Sequence, residues 1–156
     1  IRTDSKFETV MRACADPRPE QGGTWISETI IDAYCVLHES GYAHSVETWQ
    51  GGELVGGLYG IALGRVFFGE SMFVRRTDAS KVAFAYLLAQ LKRWDFELID
   101  CQQDTQHLAS LGAAPIPRRR FLDELGRLVN SKAKSPRTGA WTFDPDLLHD
   151  LVAGKK

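Results

Sequence analysis

Residues 43–74 constrain the fold more than any other part of the chain, because three strand-like runs follow one another with only tight turns between them. The runs are HSVETW, ELVGGLYGIAL and VFFGESMFV, and the connections are Gln50-Gly51-Gly52 and Gly64-Arg65. Short glycine-containing connections of this kind join neighbouring antiparallel strands. The sequence therefore predicts an antiparallel three-stranded meander.

Helices are predicted before the meander. Apolar residues recur at helical spacing from Phe7 to Cys14, and the following Asp16-Pro17-Arg18-Pro19 ends that helix. Ser27 is expected to cap a second helix, which Gly41 closes in a left-handed conformation.

After the meander, a helix capped by Thr77, Asp78 or Ser80 is expected to run to about Trp94. Its apolar stripe is predicted to contain Val82, Ala85, Tyr86, Ala89 and Trp94. The run FELIDCQ at 96–102 then predicts a strand, on which Asp100 and Gln102 would share one face because strand side chains alternate.

The last part of the chain alternates short helices with turns. A helix from Thr105 to Leu111 is ended by Gly112, and Pro115 and Pro117 mark a turn before a helix at 118–129. Residues 131–140 are predicted to form a loop, followed by WTF and a short terminal helix.

This order predicts one domain, residues 1–156, of the α/β (α+β) class, with a mixed, mainly antiparallel sheet and helices on both faces. It resembles the acetyltransferase-like (GNAT) fold. That resemblance implies two strands, before and after the central helix, that splay apart and leave a cleft for an acyl donor.

Composition excludes several classes of protein. No apolar run approaches the roughly 18 residues that a membrane span needs, and no leader-like segment opens the sequence, so a cytoplasmic location without membrane contact is expected. Cys14, Cys35 and Cys101 have no C-x-x-C spacing, and the four histidines are scattered, so neither a disulfide framework nor a metal site is predicted.

The loop between the third strand and the long helix indicates whether the protein could bind coenzyme A as its acyl carrier. GNAT enzymes hold the coenzyme A pyrophosphate on a glycine-containing loop at a helix N-terminus, where backbone N–H groups approach the phosphates. The equivalent segment here, residues 74–81, contains no glycine. An acetyltransferase that uses acetyl-coenzyme A is therefore the alternative, and it is disfavoured.

Several blocks closely resemble the leucyl/phenylalanyl-tRNA–protein transferases. They are TWI at 24–26, AYxxLHExGYAHSVExW at 33–49, GGLYGIALGRVFFGESMF at 56–73, ASK at 79–81, LIDCQ at 98–102, HLASLGA at 107–113 and IPRRRF at 116–121. The resemblance implies an enzyme that moves leucine or phenylalanine from aminoacyl-tRNA to the α-amino group of proteins that begin with arginine or lysine, marking them for degradation. It implies no metal and no cofactor.

The resemblance also implies roles for individual residues. Asp100 and Gln102 match the residues tied to catalysis, through positioning and electrostatic guidance rather than proton abstraction by the amide. Glu70, on a strand face with Phe68 and Met72, is expected to receive the positive group of the acceptor. Further substrate-binding positions that match or resemble the family's are Trp25, Leu58, Phe67, Ser71, Met72, Leu87, Leu91 and Ile99.

The tRNA is expected to contact a modest basic surface. Its members are Arg75, Arg76, Lys81, Arg118, Arg119 and Arg120, and the C-terminal third carries nine basic and five acidic residues.

Members of the family normally carry an additional N-terminal region that contributes to the aminoacyl pocket, and this sequence is expected to lack it. A non-catalytic module that binds aminoacyl-tRNA or protein N-termini therefore remains a second alternative.

Overall fold

A computed structural model describes residues 1–16, 23–131 and 140–153. Its strands are β1 (Arg2–Thr3), β2 (Ala43–Gln50), β3 (Glu53–Leu63), β4 (Val66–Val74) and β5 (Leu98–Asp100). Its helices are α1 (Phe7–Ala15), α2 (Glu28–Glu39), α3 (Ala79–Arg93), α4 (Gln106–Ser110), α5 (Arg118–Leu128) and α6 (Leu147–Ala153). The predicted meander and helices are confirmed, whereas Pro17–Pro19 and most of the predicted loop at 131–140 lie outside the described residues.

The strands form one sheet in the order β1-β2-β3-β4-β5. The first four are antiparallel neighbours, and β5 runs parallel to β4. Because α3 connects β4 to β5, this parallel pair is the crossover that the element order predicts. The expected α+β class, with a mixed and mainly antiparallel sheet, is confirmed.

Helices cover both faces of the sheet, and adjacent residues of β3 show the division. Tyr59 packs in a cluster with α1 and α2 residues such as Val10 and Ile31. Leu58 packs on the opposite face in a cluster with Leu87 and Leu91 of α3. Because strand side chains alternate, one strand contributes to two separate cores.

Side-chain caps define the starts of two helices. The Ser27 cap is as predicted, whereas Thr105, predicted as the first residue of its helix, is the cap instead. The Ser27 hydroxyl accepts a hydrogen bond from the Ile30 N–H at 3.4 Å, and Thr105 caps α4 by accepting from the Leu108 N–H at 3.2 Å. Gly41 has φ +77°, the left-handed conformation expected after α2.

The predicted apolar stripe of α3 is wrong. The buried positions are Ala79, Ser80, Ala83, Phe84, Leu87, Gln90 and Leu91, whereas Val82 is 41% exposed. Gln90 tolerates full burial because its side-chain oxygen accepts from the Asp144 N–H at 2.7 Å and its amide nitrogen donates to Asp144 Oδ2 at 3.2 Å. Trp94, which follows the helix, is buried as predicted.

Candidate active site

The parting of β4 and β5 creates an opening in the fold. The two strands pair only at three positions, from Val66 with Leu98 to Phe68 with Asp100. From Gly69 to Val74, β4 continues without a β5 partner while it stays paired with β3. The space beside the free edge of β4 corresponds to the cleft that the resemblance to the GNAT fold implies.

A cavity of about 660 Å³ lies along this free edge. Its volume is in the range of small-molecule sites, which are usually clefts of roughly 300–1,000 Å³. Predicted substrate residues line it, namely Trp25, Leu58, Phe67, Glu70, Ser71, Met72, Leu87 and Ile99, together with Gln102. The structure thus brings together residues that are up to 77 positions apart in the sequence.

The half of this cavity on the α3 face is apolar. Leu58, Phe67 and Leu87 are each at most 3% exposed, and Met72 and Ile99 pack against the same cluster. Leu91 belongs to that cluster but does not line the cavity, so it supports the wall from behind. Trp25 is 54% exposed and lines the cavity from a segment outside the sheet.

The half on the α1 and α2 face is polar and centres on Glu70. The Tyr34 hydroxyl donates a hydrogen bond to the Glu70 carboxylate, and burial together with the Glu70 charge raises the pKa of Tyr34 to about 12. Tyr34 therefore keeps its proton at neutral pH and holds the carboxylate in place.

Glu70 was predicted to share a strand face with Phe68 and Met72, and this prediction is wrong because of a β-bulge. Tyr59 pairs with Ser71 and Gly60 pairs with Gly69, so Glu70 is the extra residue of β4. The bulge reverses the alternation: Phe68 pairs with Ile61, on the α1 and α2 face, whereas Met72 packs against the α3 cluster.

The end of β5 also departs from the predicted alternation. The strand stops at Asp100, and Gln102 has φ +60°. The Gln102 N–H donates to Asp100 Oδ1 at 2.8 Å, so the carboxylate closes a local turn. The two side chains are therefore arranged by this turn and not by a shared strand face, and the Gln102 side chain is exposed.

Cys101, between these two residues, is half-buried. Burial and the Asp100 charge raise the pKa of its thiol. The thiol therefore keeps its proton at neutral pH, and Cys101 lines both this cavity and a second one.

A second cavity, of about 860 Å³, lies on the other side of β5. Its lining includes Asp100, Leu91 and Arg118. The residues that it shares with the first cavity are Phe84, Ile99, Cys101, Gln102, Gln103 and Leu108. Asp100 borders only this second cavity, whereas Gln102 borders both. The turn at 100–102 therefore lies where the two cavities meet.

The predicted basic residues fall in two places. Arg75 and Lys81, around the start of α3, are already paired: Arg75 with Asp16 at 3.4 Å and Lys81 with Asp78 at 2.7 Å. Arg118–Arg120 begin α5, are exposed and make no ion pair with any described residue. Arg76 is exposed as well.

The start of α3 is poorly suited to a pyrophosphate. Its N-cap, Asp78, has φ +63° and makes no side-chain capping hydrogen bond, and its carboxylate pairs with Lys81. A fixed negative charge at this position opposes the binding of an anion.

Some lining residues were not predicted from the sequence. Phe84, Tyr59 and Cys14 line the first cavity, as do Gln103, Thr105, His107 and Leu108 beyond β5. The burial of Phe84 follows the i, i+3 spacing with Leu87 and Leu91, which was a readable signal. The contribution of α1 through Cys14 depends on packing across the sheet, for which the sequence gives no local signal.

A mixed sheet with two parting strands and a ligand-sized cavity at the parting are the features of the acetyltransferase-like α+β fold that the sequence resembles. Comparison with known proteins makes this specific. Residues 1–126 match the model of the family described as leucyl/phenylalanyl-tRNA protein transferase. The chain belongs to this family.

Curated relatives agree. A leucyl/phenylalanyl-tRNA–protein transferase of Nitrosospira multiformis is 61% identical over 144 residues, which cover 92% of this chain and 61% of the relative. That of Thiobacillus denitrificans is 58% identical over 144 residues, covering 92% of this chain and 62% of the relative. The chain thus spans about three fifths of the length of the curated relatives it matches. In the described part of the chain, no helix is long and apolar enough to cross a membrane.

Proposed function

We propose that this chain is an aminoacyltransferase that moves leucine or phenylalanine from aminoacyl-tRNA to the α-amino group of proteins with N-terminal arginine or lysine. The product would be a protein with a bulky apolar N-terminal residue, a degradation signal. Because aminoacyl-tRNA is a cytoplasmic substrate, the reaction implies a cytoplasmic enzyme. The observation that carries the proposal is the cavity at the free edge of β4, which joins an apolar half to a carboxylate and ends at Gln102.

The apolar half is the proposed pocket for the donor side chain. Leucine and phenylalanine are recognised by burial of apolar surface, which stabilises a complex by about 25 cal/mol per Å². Leu58, Phe67 and Leu87 offer such a surface with little freedom to rearrange, because they are almost fully buried in the core. Polar side chains would lose hydration here without gaining hydrogen bonds.

In the chemical step, the neutral α-amine of the acceptor attacks the ester carbonyl of the donor. The new C–N bond forms as the bond to the ribose 3′-oxygen breaks, and one amine proton ends on that oxygen. Asp100 fixes the backbone of Gln102 through the 2.8 Å hydrogen bond. The Gln102 side-chain oxygen is then available to accept a hydrogen bond from the attacking amine and to orient it.

We assign tRNA contacts to Arg118–Arg120, which are unpaired within the described residues, and to Arg75, Arg76 and Lys81 as secondary contacts. The start of α3 favours tRNA over coenzyme A as the acyl carrier. The Asp78 carboxylate lies at the helix start where the phosphates of coenzyme A would otherwise bind.

Transfer of radiolabelled leucine or phenylalanine from charged tRNA to a peptide with N-terminal arginine tests the proposal. The chain is assayed alone and after extension with the N-terminal region of the Nitrosospira multiformis relative. Transfer by either version supports the proposal. Failure of both, together with binding of the charged tRNA, would replace it with the binding-module alternative.

Two controls sharpen the assay. Coenzyme A should leave the melting temperature unchanged, whereas puromycin, an aminoacyl-adenosine analogue, should raise it. Replacing Glu70 with Gln should reduce the preference for arginine over alanine acceptors, and replacing the exposed Glu53 with Gln should not.

A further inference from the structure

Tyr59 lines the first cavity and carries a buried polar atom without a hydrogen-bond partner among the described residues. This atom is the hydroxyl oxygen, and the side chain as a whole is fully buried. Only one other buried side-chain atom in those residues shares this condition, Nε1 of Trp141. An unsatisfied buried hydroxyl destabilises the fold, whereas phenylalanine would fill nearly the same volume without that cost.

The hydroxyl faces a defined chemical environment. Burial, followed by electrostatic interaction with Cys14, Tyr34 and Glu70, raises the pKa of Tyr59. Glu70 is the bulged residue next to Ser71, which is the strand partner of Tyr59. Tyr59, Glu70 and Cys14 all line the first cavity. The ring of Tyr34 meets that of Tyr59 edge to face at 5.5 Å between centroids.

The unused hydrogen-bond acceptors of Tyr59 and Glu70 indicate which kind of ligand would bind beside them. The Tyr34 proton is used by Glu70, and Glu70 lines the first cavity, so its carboxylate offers only oxygen lone pairs to a ligand. The Tyr59 oxygen adds a further acceptor. Acceptors beside a carboxylate and two aromatic rings suit a cation that carries several N–H donors, such as a guanidinium or an ammonium.

The sheet separates this group from the donor pocket. Leu58 points to the apolar half and its neighbour Tyr59 to the opposite face, and the cavity joins the two halves around the free edge of β4. A donor side chain on one face and an acceptor side chain on the other would meet at that edge.

We infer that the Tyr59 hydroxyl is a specificity-determining group that accepts a hydrogen bond from the cationic side chain of the acceptor's first residue, while Tyr34 positions Glu70 beside it. This inference rests on the proposed function and deepens it. The two faces of one sheet thereby discriminate the two substrates: apolar side chains on the α3 face and basic ones on the α1 and α2 face.

Tyr59→Phe tests the inference, with Tyr86→Phe as a control that removes a phenol hydroxyl from α3 outside both cavities. The acceptors are a peptide with N-terminal arginine and one with citrulline, which has the same shape without the charge. For Tyr59→Phe, we expect an unchanged or higher melting temperature and a KM for the arginine peptide raised by about 10-fold, as for loss of one hydrogen bond to a charged group. The kcat at saturating peptide and the affinity for puromycin should stay unchanged.

Tyr34→Phe provides a second variant on a less buried side chain. It should raise the KM for the arginine peptide and leave that for citrulline nearly constant, since it releases the Glu70 carboxylate from its hydrogen bond. If the ratio of the two KM values equals the wild-type ratio in both variants, the inference is overturned.

If the proposed function itself is wrong, the transfer assay gives a different result from the one that refutes the role of Tyr59. In that case the wild-type chain, with or without the extension, would transfer no amino acid to either peptide. A wild type that transfers with arginine preference, combined with a Tyr59→Phe variant that has an unchanged preference, would leave the proposed function intact and refute only the role of the hydroxyl.

Discussion

The backbone N–H of Gln102 donates a hydrogen bond to Oδ1 of Asp100 at 2.8 Å, and Gln102 has φ +60°. A non-glycine residue in this conformation needs local support, which the Asp100 carboxylate provides. The residue that the family resemblance ties to catalysis is thus also the one that holds its neighbour in an unusual conformation. Substitutions at Asp100 can separate these two contributions.

Asp100→Asn keeps an oxygen that can accept from Gln102 and removes the charge, whereas Asp100→Ala removes both. If positioning dominates, kcat/KM for transfer should fall by about 10-fold in the Asn variant and by about 100- to 1,000-fold in the Ala variant, the range for loss of one preorganised group. Steady-state transfer kinetics measure both. Equal losses would show that the charge is what the reaction needs.

The thiol of Cys101 reports on the same substitution without any assay of activity. Part of its raised pKa comes from the Asp100 charge, so Asp100→Asn should lower that pKa. Alkylation by iodoacetamide at pH 8 should then be faster in the variant, because the thiolate fraction rises. Cys35, whose pKa is raised by burial and by other carboxylates, provides the internal control. An unchanged rate at Cys101 would mean that the Asp100 charge does not reach the thiol.

Leu87 belongs both to the hydrophobic core and to the wall of the proposed donor pocket. Its side chain is fully buried and lines the first cavity, whereas Val82 on the same helix is 41% exposed. Leu87→Ala should lower the free energy of unfolding by about 2–5 kcal/mol, and Val82→Ala should change it by less than about 1 kcal/mol. Chemical denaturation measures both.

In the transfer assay, the enlarged pocket of Leu87→Ala should favour phenylalanine over leucine relative to wild type. An unchanged ratio of kcat/KM values, in a variant that is folded at the assay temperature, would place the donor side chain elsewhere.

The meander and the helix positions could be read from the sequence because they follow from local signals, whereas the edge strand β1 was not predicted. Glycine turns delimit the meander, and Ser27 caps α2 as predicted. The face of α3 could not be read in this way. Its buried side includes Ser80 and Gln90, and the latter is satisfied by Asp144, which is 54 residues away in the sequence.

The sequence predicted which residues form the site more completely than it predicted how their side chains are oriented. The substrate-binding residues singled out from the family blocks gather at one cavity with the exception of Leu91, but their orientation depends on two irregularities. The bulge at Glu70 and the turn at Gln102 both break the period of two on which strand predictions rest. Such irregularities reflect pairing with neighbouring strands and local hydrogen bonds, which hydrophobic patterning does not report.

The bulge itself can be tested through Gly60, which lies opposite Gly69. A Cβ at Gly60 would lie 2.2 Å from the Phe68 carbonyl oxygen and 2.5 Å from Cζ of Phe67. Gly60→Ala should therefore destabilise the protein by about 1–3 kcal/mol through overpacking. Gly126 in α5 has open space around it, so Gly126→Ala should stabilise by about 0.5–1 kcal/mol through helix propensity. Thermal unfolding compares the two.

Because Phe67 lines the apolar half of the cavity, Gly60→Ala should also weaken binding of puromycin. Gly126→Ala should not. Equal melting temperatures for the two variants would contradict the close packing at the bulge.

The last prediction concerns the basic start of α5. Arg118 lines the second cavity, which shares Gln102 with the first, and the exposed Arg119 and Arg120 follow it. A nucleic-acid strand that delivers its 3′ end to Gln102 can therefore pass over this surface. Each lost contact between an arginine and a phosphate should reduce the slope of log affinity against log salt by about 0.7–0.9.

Filter binding of leucyl-tRNA over a range of salt concentrations measures this slope for Arg118→Ala and for the double variant Arg119→Ala, Arg120→Ala. Arg12→Ala is the matched control, because Arg12 is exposed but paired with Glu8 and Glu28 on α1 and α2. A uniform loss of affinity for leucyl- and phenylalanyl-tRNA is expected, since phosphate contacts position the ligand without reading its amino acid. If the slopes of the α5 variants equal that of Arg12→Ala, the tRNA does not approach over α5, and the Arg75–Arg76 side of the cleft becomes the remaining candidate.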